Sequence, residues 1–444
     1  MHAAASGVLL GLNPLWLATV VMIVTYGVII SERLNRSIIA LLGAMLMVMF
    51  GLLTQEQAVS GVDFNTIGLL VGMMVIVSIT RKSGVFEYLA IWSAKLVKAN
   101  PAGILAMLAV VTAVVSALLD NVTTVLLVVP VTLVITEALK VNPYPFLFSQ
   151  ILASNIGGTA TLIGDPPNIL IGGQVGLSFN DFVIHLSPVI AVILVVHVIS
   201  IHLIWGRSMA STAELRARVM AFDESEAITD SRLLKRASLV LALVIVAFVM
   251  ARSLGLESGT IGMAGAALLL MLDNLGKSAE HQSENVVKVY NEIEWITIFF
   301  FVGLFIVIAG VEHAGLLRLL ADQLLAATGG DFKVTGYSIL WSSAFLSAIV
   351  DNIPFVATMI PLIKSMAPAF GGADALMPLW WCLSLGACLG GNGTLIGASA
   401  NLTVAGIAER NGIPFRFMTY TRIAFPLMLI HVAICNVYVW WRYF

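Results

Sequence analysis

The sequence predicts an all-α polytopic membrane protein. It is expected to consist of two inverted repeats, each with five transmembrane helices and one re-entrant hairpin, and with broken helices at the functional site. Three observations point there. Of 444 residues, 59% are apolar and only 11% charged, whereas a soluble domain carries about 25% charged residues. The apolar residues fall in runs such as 15–30, 38–53, 233–250 and 296–311, long enough as helices to cross a ~30 Å hydrocarbon core. The second half of the chain also repeats motifs of the first.

In order, the spans read as 14–31, 37–53, 65–80, 146–172 and 183–206, then 233–253, 258–272, 295–311, 376–408 and 417–441. The first run has no basic region or A-x-A site before it, so it reads as a retained helix rather than a cleaved leader. Between the third and fourth span of each half lies an extra apolar pair, 101–139 and 333–370. Each turns on two residues, Asp120-Asn121 or Asp351-Asn352, with no loop around them. A tip that short belongs inside protein, so both pairs read as re-entrant hairpins. Repeat 1 is then 1–206 and repeat 2 is 233–444, with hairpin 101–139 and broken helix 146–172 in the first and hairpin 333–370 and broken helix 376–408 in the second. The charged stretch 207–232 is the cytoplasmic linker between them.

SALLDNVTTVLLVVP (116–130) aligns with SAIVDNIPFVATMIP (347–361) at an offset of 231. GGTATLIGDPPN (157–168) aligns with GGNGTLIGASAN (390–401) at 233. Thr66-Ile67 and Val71-Gly72 match Thr297-Ile298 and Val302-Gly303. Collinear matches of this kind mark a duplication, and five crossings per copy, an odd number, make the second copy inverted. Placing both termini outside leaves only Arg252, Arg318, Lys333, Lys364 and Arg442, of 23 Lys and Arg, on the outer side. That is the bias expected of an inner-membrane protein.

Asp120 and Asp351 sit in the middle of long apolar stretches. A carboxylate there is costly unless it faces a polar cavity or holds a proton or cation. At matched repeat positions the two suggest one shared site near the midplane and are the expected proton-coupling groups, although either can also cap the following helix limb. Asn121, Thr123 and Asn352 flank them. The Gly-rich stretches should break the membrane helices at Gly157, Gly158, Gly164, Asp165, Pro166 and Pro167, and at Gly390, Gly391 and Gly397, freeing backbone groups to line a cavity. Asn155, Thr161, Asn168, Asn392, Thr394 and Asn401 are the polar candidates for binding there. Asp165 has Ala398 as its counterpart and reads as a helix cap. His185, His197, His202 and His431 read as structural or interfacial. Cys382, Cys388 and Cys435 lie in apolar runs without a C-x-x-C pair and read as packing residues.

No Lys or Arg falls within the tips or breaks, so a polyanion would have only helix N-termini to bind it. A cation, a proton or a neutral polyhydroxylated solute fits better. A net charge of −2 implies no nucleic-acid partner. No Walker A, zincin, G-x-S-x-G or Cys/His cluster is present, so neither an enzyme, a metal centre nor a cofactor is expected.

DNVTTVLLVVPVTL, NIGGTATLIGDPPNILI, DNIPFVATMIP and GACLGGNGTLIGASAN resemble the ion transporter superfamily, in its arsenite-permease and sodium/proton-antiporter branch, and especially the pink-eyed dilution (P) protein subgroup. The resemblance covers nearly the whole chain. It implies a homodimer in the lipid bilayer, with a scaffold and a mobile domain working as an elevator, and a site formed by hairpin tips and helix breaks. The dicarboxylate branch carries Ser-Asn-Thr at the tips, where this chain has Asp-Asn-Val and Asp-Asn-Ile. The expected function is therefore proton-coupled efflux antiport of a small inorganic solute, arsenite or antimonite, with an ATPase subunit as partner if it serves an arsenite pump. A sodium/proton antiporter is the alternative, and a passive channel the further one.

Overall fold

The helices begin where the sequence supplies caps and prolines. Asn13, Asn35, Asp63 and Asn100 each accept a hydrogen bond from the first turn of the helix that follows, satisfying amides that hydrocarbon would otherwise leave bare. The computed structural model describes residues 8, 11–31 and 33–444. Among these, the first half carries α1 Pro14–Ile30, α2 Arg36–Met49, α3 Phe64–Arg81, α4 Val85–Leu96, α5 Pro101–Leu118, α6 Asn121–Leu139, α7 Tyr144–Thr159, α8 Pro166–Val175 and α9 Ser187–Ile204. The second half carries α10 Ser231–Val249, α11 Ser258–Asn274, α12 Trp295–His313, α13 Leu316–Ala327, α14 Phe332–Ile349, α15 Asn352–Ser365, α16 Met377–Gly390, α17 Ser399–Arg410 and α18 Phe417–Tyr443. Shorter helices fill the connections. Among the described residues no strand occurs.

Among the described residues six helical stretches are long and apolar enough to cross a membrane: α3, α5, α6, α9 with the turn after it, α12 and α18. α1 and α2 are shorter apolar helices. The spans expected over 146–172 and 376–408 are each two helices, separated by residues 160–165 and 391–398. At about 1.5 Å per residue, α5 and α6 each measure nearly the thickness of the hydrocarbon core.

Packing follows matched pairs. α5 lies against α7, and α14 against α16; α3 lies against α11, and α12 against α2; α6 meets α17, and α15 meets α8. The close crossings rest on glycine. A Cβ on Gly157 would run into the Ala113 carbonyl, and one on Gly390 into the Ala344 carbonyl. Both obstacles are backbone, so neither can turn aside.

Several helices were not legible as elements, among them Ala279–Asn291 in the polar loop after α11. α4 and α13 follow α3 and α12, each after a left-handed glycine, Gly84 (φ +78°) and Gly315 (φ +87°). Both are short and amphipathic, so a span-length hydropathy window passes over them. The linker 207–232 lies partly against α4. Lys95 pairs with Glu224, which holds that carboxyl below its ordinary range. Val219 is fully buried, and the Thr229 amide donates to the Ser83 carbonyl at 3.1 Å.

Gly157→Ala and Gly390→Ala should each destabilise the protein by about 1–3 kcal/mol through overpacking against fixed backbone. Gly27→Ala in α1, which meets nothing within 4 Å, should be neutral or slightly stabilising. Thermal unfolding in detergent micelles compares the three; equal melting points for all of them would remove the close-crossing argument.

Candidate functional site

Each hairpin tip is a helix start. Leu119 and Asp120 are extended, and α6 begins at Asn121 with Asp120 as its cap. The Thr123 amide donates to Asp120 Oδ2 at 2.8 Å and the Thr123 hydroxyl to Oδ1 at 2.5 Å. At the second tip, the Ile353 amide donates to Asp351 Oδ1 at 3.0 Å. Both aspartates thus cap their limbs.

The asparagines behind the tips are buried and linked across the two halves. Asn121 Nδ2 donates to Asn155 Oδ1 at 2.8 Å and to Asp165 Oδ1 at 3.2 Å. Asn155 Nδ2 donates in turn to Asn392 Oδ1 and Asn401 Oδ1, both at 2.9 Å. Asn168 Nδ2 donates to the carbonyls of Thr159 and Thr161, at 3.1 and 2.9 Å. Asn401 Nδ2 does the same to Gly391 and Thr394, at 2.7 and 2.9 Å. The Thr161 hydroxyl donates to the Ala117 carbonyl at 2.6 Å, and that of Thr394 to Ala348 at 2.5 Å. Asn168, Asn401, Thr161 and Thr394 therefore spend these donors on the backbone of the breaks and hairpins.

Arg36 alters the charge of the site. The tips and breaks themselves contain no cation, but the first turn of α2 brings this one to the second tip. Arg36 Nη1 donates to Asp351 Oδ2 at 2.9 Å and to the Ser399 hydroxyl at 2.7 Å, and Nη2 donates to the Thr297 hydroxyl at 3.2 Å. Its guanidinium carbon sits 5.0 Å from the centre of the Phe300 ring. The Arg36 and Asp351 side chains are only 26% and 20% exposed. Nothing local in the sequence signals this contact, because it depends on α2 packing against α12.

Asp165 also departs from expectation. It precedes α8 but makes no side-chain cap hydrogen bond. It is fully buried, and its Oδ2 has no partner. Asn352 Nδ2, likewise buried, has none either. Sequence alignment of the halves explains the imbalance. Asn121 finds Asn155 and Asp165, while the counterparts of those two in the second half are Cys388 and Ala398. A thiol and a methyl cannot replace an amide and a carboxylate, so Asn352 lacks the two close partners that Asn121 has. Asp120, Asp165, Glu294, Asn352, Thr297 and Arg36 converge on a cavity of about 20 Å³, room for about one water-sized particle. Glu294 caps α12 in position only and accepts from the Thr297 hydroxyl at 3.1 Å. Sequence reasoning missed Arg36, Glu294, Thr297 and Ser399. Among the described residues no group of three His, Cys, Asp or Glu is placed to hold a metal.

The remaining candidates lie elsewhere. His197 and His431 are buried with ring centres 6.0 Å apart, and His185 bonds to the Tyr443 hydroxyl at 2.7 Å. All three cysteines are buried, and Cys388 also reaches Asn168 Oδ1 at 3.6 Å.

The chain matches a protein family described as citrate transporter over residues 26–386. It is 41% identical over 431 residues to an uncharacterized transporter of Mycobacterium tuberculosis, covering 96% of this chain and 98% of that one. It is equally similar, over the same shares, to a 46 kDa membrane protein of Mycobacterium leprae. Against the P protein of Homo sapiens it is 31% identical over 499 residues, covering 94% of this chain but 59% of that longer protein. Its fold is similar to the crystal structure of the Alcanivorax borkumensis YdaH transporter, with a TM-score of 0.61 at 12% identity over 96% of this chain and 98% of that one.

Arg36→Gln and Asp351→Asn should couple in a double-mutant cycle on thermal stability, with an interaction energy of about 0.5–3 kcal/mol. Arg36→Gln alone strands a carboxylate and should cost more than the double variant. Strictly additive effects would mean the pair contributes nothing.

Proposed function

This chain belongs to the citrate transporter family of membrane transporters, and on that premise we propose that it is a proton-coupled secondary antiporter exchanging protons for a small monovalent cation such as sodium. The observation that carries this is the charge of the cavity. Arg36 is committed to Asp351, which leaves Asp120, Asp165 and Glu294 as the unpaired acids lining one small cavity, though not close enough together to ligate an ion as a set of three. Carboxylates gathered where water is scarce need a proton or a cation, and exchanging one for the other on the same groups couples the two fluxes. Asp120 and Asp165 are the exchanging groups; Asp351 is a tip latch held by Arg36.

A second reading, efflux of arsenite or antimonite, is favoured by one specific feature. Asn352 Nδ2 and Asp165 Oδ2 line the same cavity, a donor and an acceptor that close no strict hydrogen bond of their own. A neutral trihydroxyl solute can accept from the first and donate to the second.

The transport cycle is alternating access of two inverted halves, with α5–α9 and α14–α18 moving as an elevator against a scaffold of α1–α3 and α10–α12, in a homodimer of the inner membrane with both termini outside. One observation supports it: the helices pair in matched fashion across the two halves.

Proteoliposomes loaded with a pH dye separate the readings. A sodium pulse should drive internal pH change in the wild type. Asp120→Asn and Asp165→Asn should each lower that rate about 10-fold or more, the loss of one charged contact of about 1.4 kcal/mol. Arsenite movement without a sodium response would move the assignment to the second reading. Flux that never runs uphill would leave only a channel.

A further inference from the structure

α9 and α18 lie side by side at the end of each half, away from the tips. Between them runs a groove of about 670 Å³ lined by Val189, Val192, Ile430, Ile434, Val437 and Trp441. Val192, Ile430, Val437 and Trp441 are largely exposed, so the protein itself does not fill this groove. Its walls offer no carboxylate, amide or backbone break, and only Tyr438 and Trp441 among its lining residues carry a polar tip.

One end of the groove is different. α18 has 27 residues, or about 40 Å at 1.5 Å per residue, about 10 Å more than the hydrocarbon core. A helix of that length passes the core at one end or both, and Trp440, Trp441 and Tyr443 in its last turn suit the amphipathic headgroup boundary. Arg442 lies in that turn. Its Nη1 donates to the Tyr438 hydroxyl at 2.6 Å, and that hydroxyl donates onward to the His185 carbonyl at 2.7 Å. The guanidinium also lies 5.6 and 5.8 Å from the centres of the Tyr438 and Tyr443 rings. Arg442 is thus fixed at the rim of the groove, yet no carboxylate among the described residues forms an ion pair with it. An oriented, uncompensated guanidinium is a phosphate ligand in waiting.

We propose that this groove binds an anionic phospholipid, with one acyl chain between α9 and α18 and the phosphate on Arg442. The apolar walls do not by themselves select a lipid, since any acyl chain matches them; selection comes from the headgroup. A zwitterionic headgroup carries its own ammonium and competes with Arg442, and an anionic one does not. A second copy of the chain is a poor occupant. A two-fold contact on this face would bring both Arg442 side chains to the same membrane level and towards each other.

The test is native mass spectrometry of the full chain in detergent with phosphatidylglycerol and phosphatidylcholine supplied in equal amounts. The wild type should retain the anionic lipid with about fivefold preference, equivalent to about 1 kcal/mol for one basic residue at a headgroup. Arg442→Gln should lose the preference and Arg442→Lys should keep most of it. Ala433→Phe, which fills the groove, should lose retention of either lipid while Arg442 is unchanged. Three results overturn the proposal: equal preference in the wild type and Arg442→Gln; thermal stabilisation by inorganic phosphate matching that by phosphatidylglycerol; or a change of oligomeric state in Ala433→Phe, which would mean that another copy covers the face.

Discussion

Two asparagines hold open the helix breaks on which the site depends. Inside a bilayer an interrupted helix exposes carbonyls and amides that water cannot reach, at a cost of several kcal/mol each. Asn168 and Asn401 answer this by donating from Nδ2 to two carbonyls apiece on the strand of chain before their own helix. Each therefore ties the two ends of a break together. The acceptor oxygens are tied as well: Ser384 donates to Asn168 and Asn155 to Asn401. With the breaks fixed, α8 and α17 start at a defined depth, and the tips of the two hairpins have something rigid to meet.

From this frame the two halves diverge where the chemistry lies. The hydrogen bonds that shape the breaks are matched nearly atom for atom. Those that reach the cavity are not. Asn155 and Asp165 face Asn121 in one half, and Cys388 and Ala398 replace them in the other. Arg36 binds Asp351, while no arginine stands at the corresponding start of α11, which begins Ser258-Gly259. Duplication supplied the scaffold, and the unmatched residues gave it a single polar centre rather than two equivalent ones.

Much of this was legible in the sequence because the signals were local. Gly-rich stretches with paired Asn and Thr can only be breaks in a membrane-length apolar run, and an Asp-Asn pair in an apolar stretch can only be a sharp tip. Membership of a transporter family was legible from the same motifs. What escaped depended on contacts distant in sequence. Arg36 looked like one more inner-side charge, because only the packing of α2 on α12 carries it to Asp351. Asp165 looked like a cap, because its position before Pro166 fits one; its side chain turns instead to Asn121. α4 and α13 escaped for another reason: twelve residues with charges on one face do not register on a scale built for full spans.

The charge balance bears on cargo more directly than the family's description does. A polyanion such as citrate would enter a cavity whose one arginine is already paired and whose other ionisable groups are acids. Holding it there would require neutral acids or an Arg36 freed from Asp351, and freeing it strands a carboxylate at the second tip. A small cation meets the opposite balance. Acids attract it, and the Arg36–Asp351 pair adds no net charge. Membership of the family thus fixes the class of machine, and the unmatched acids are what the proposed cation exchange rests on.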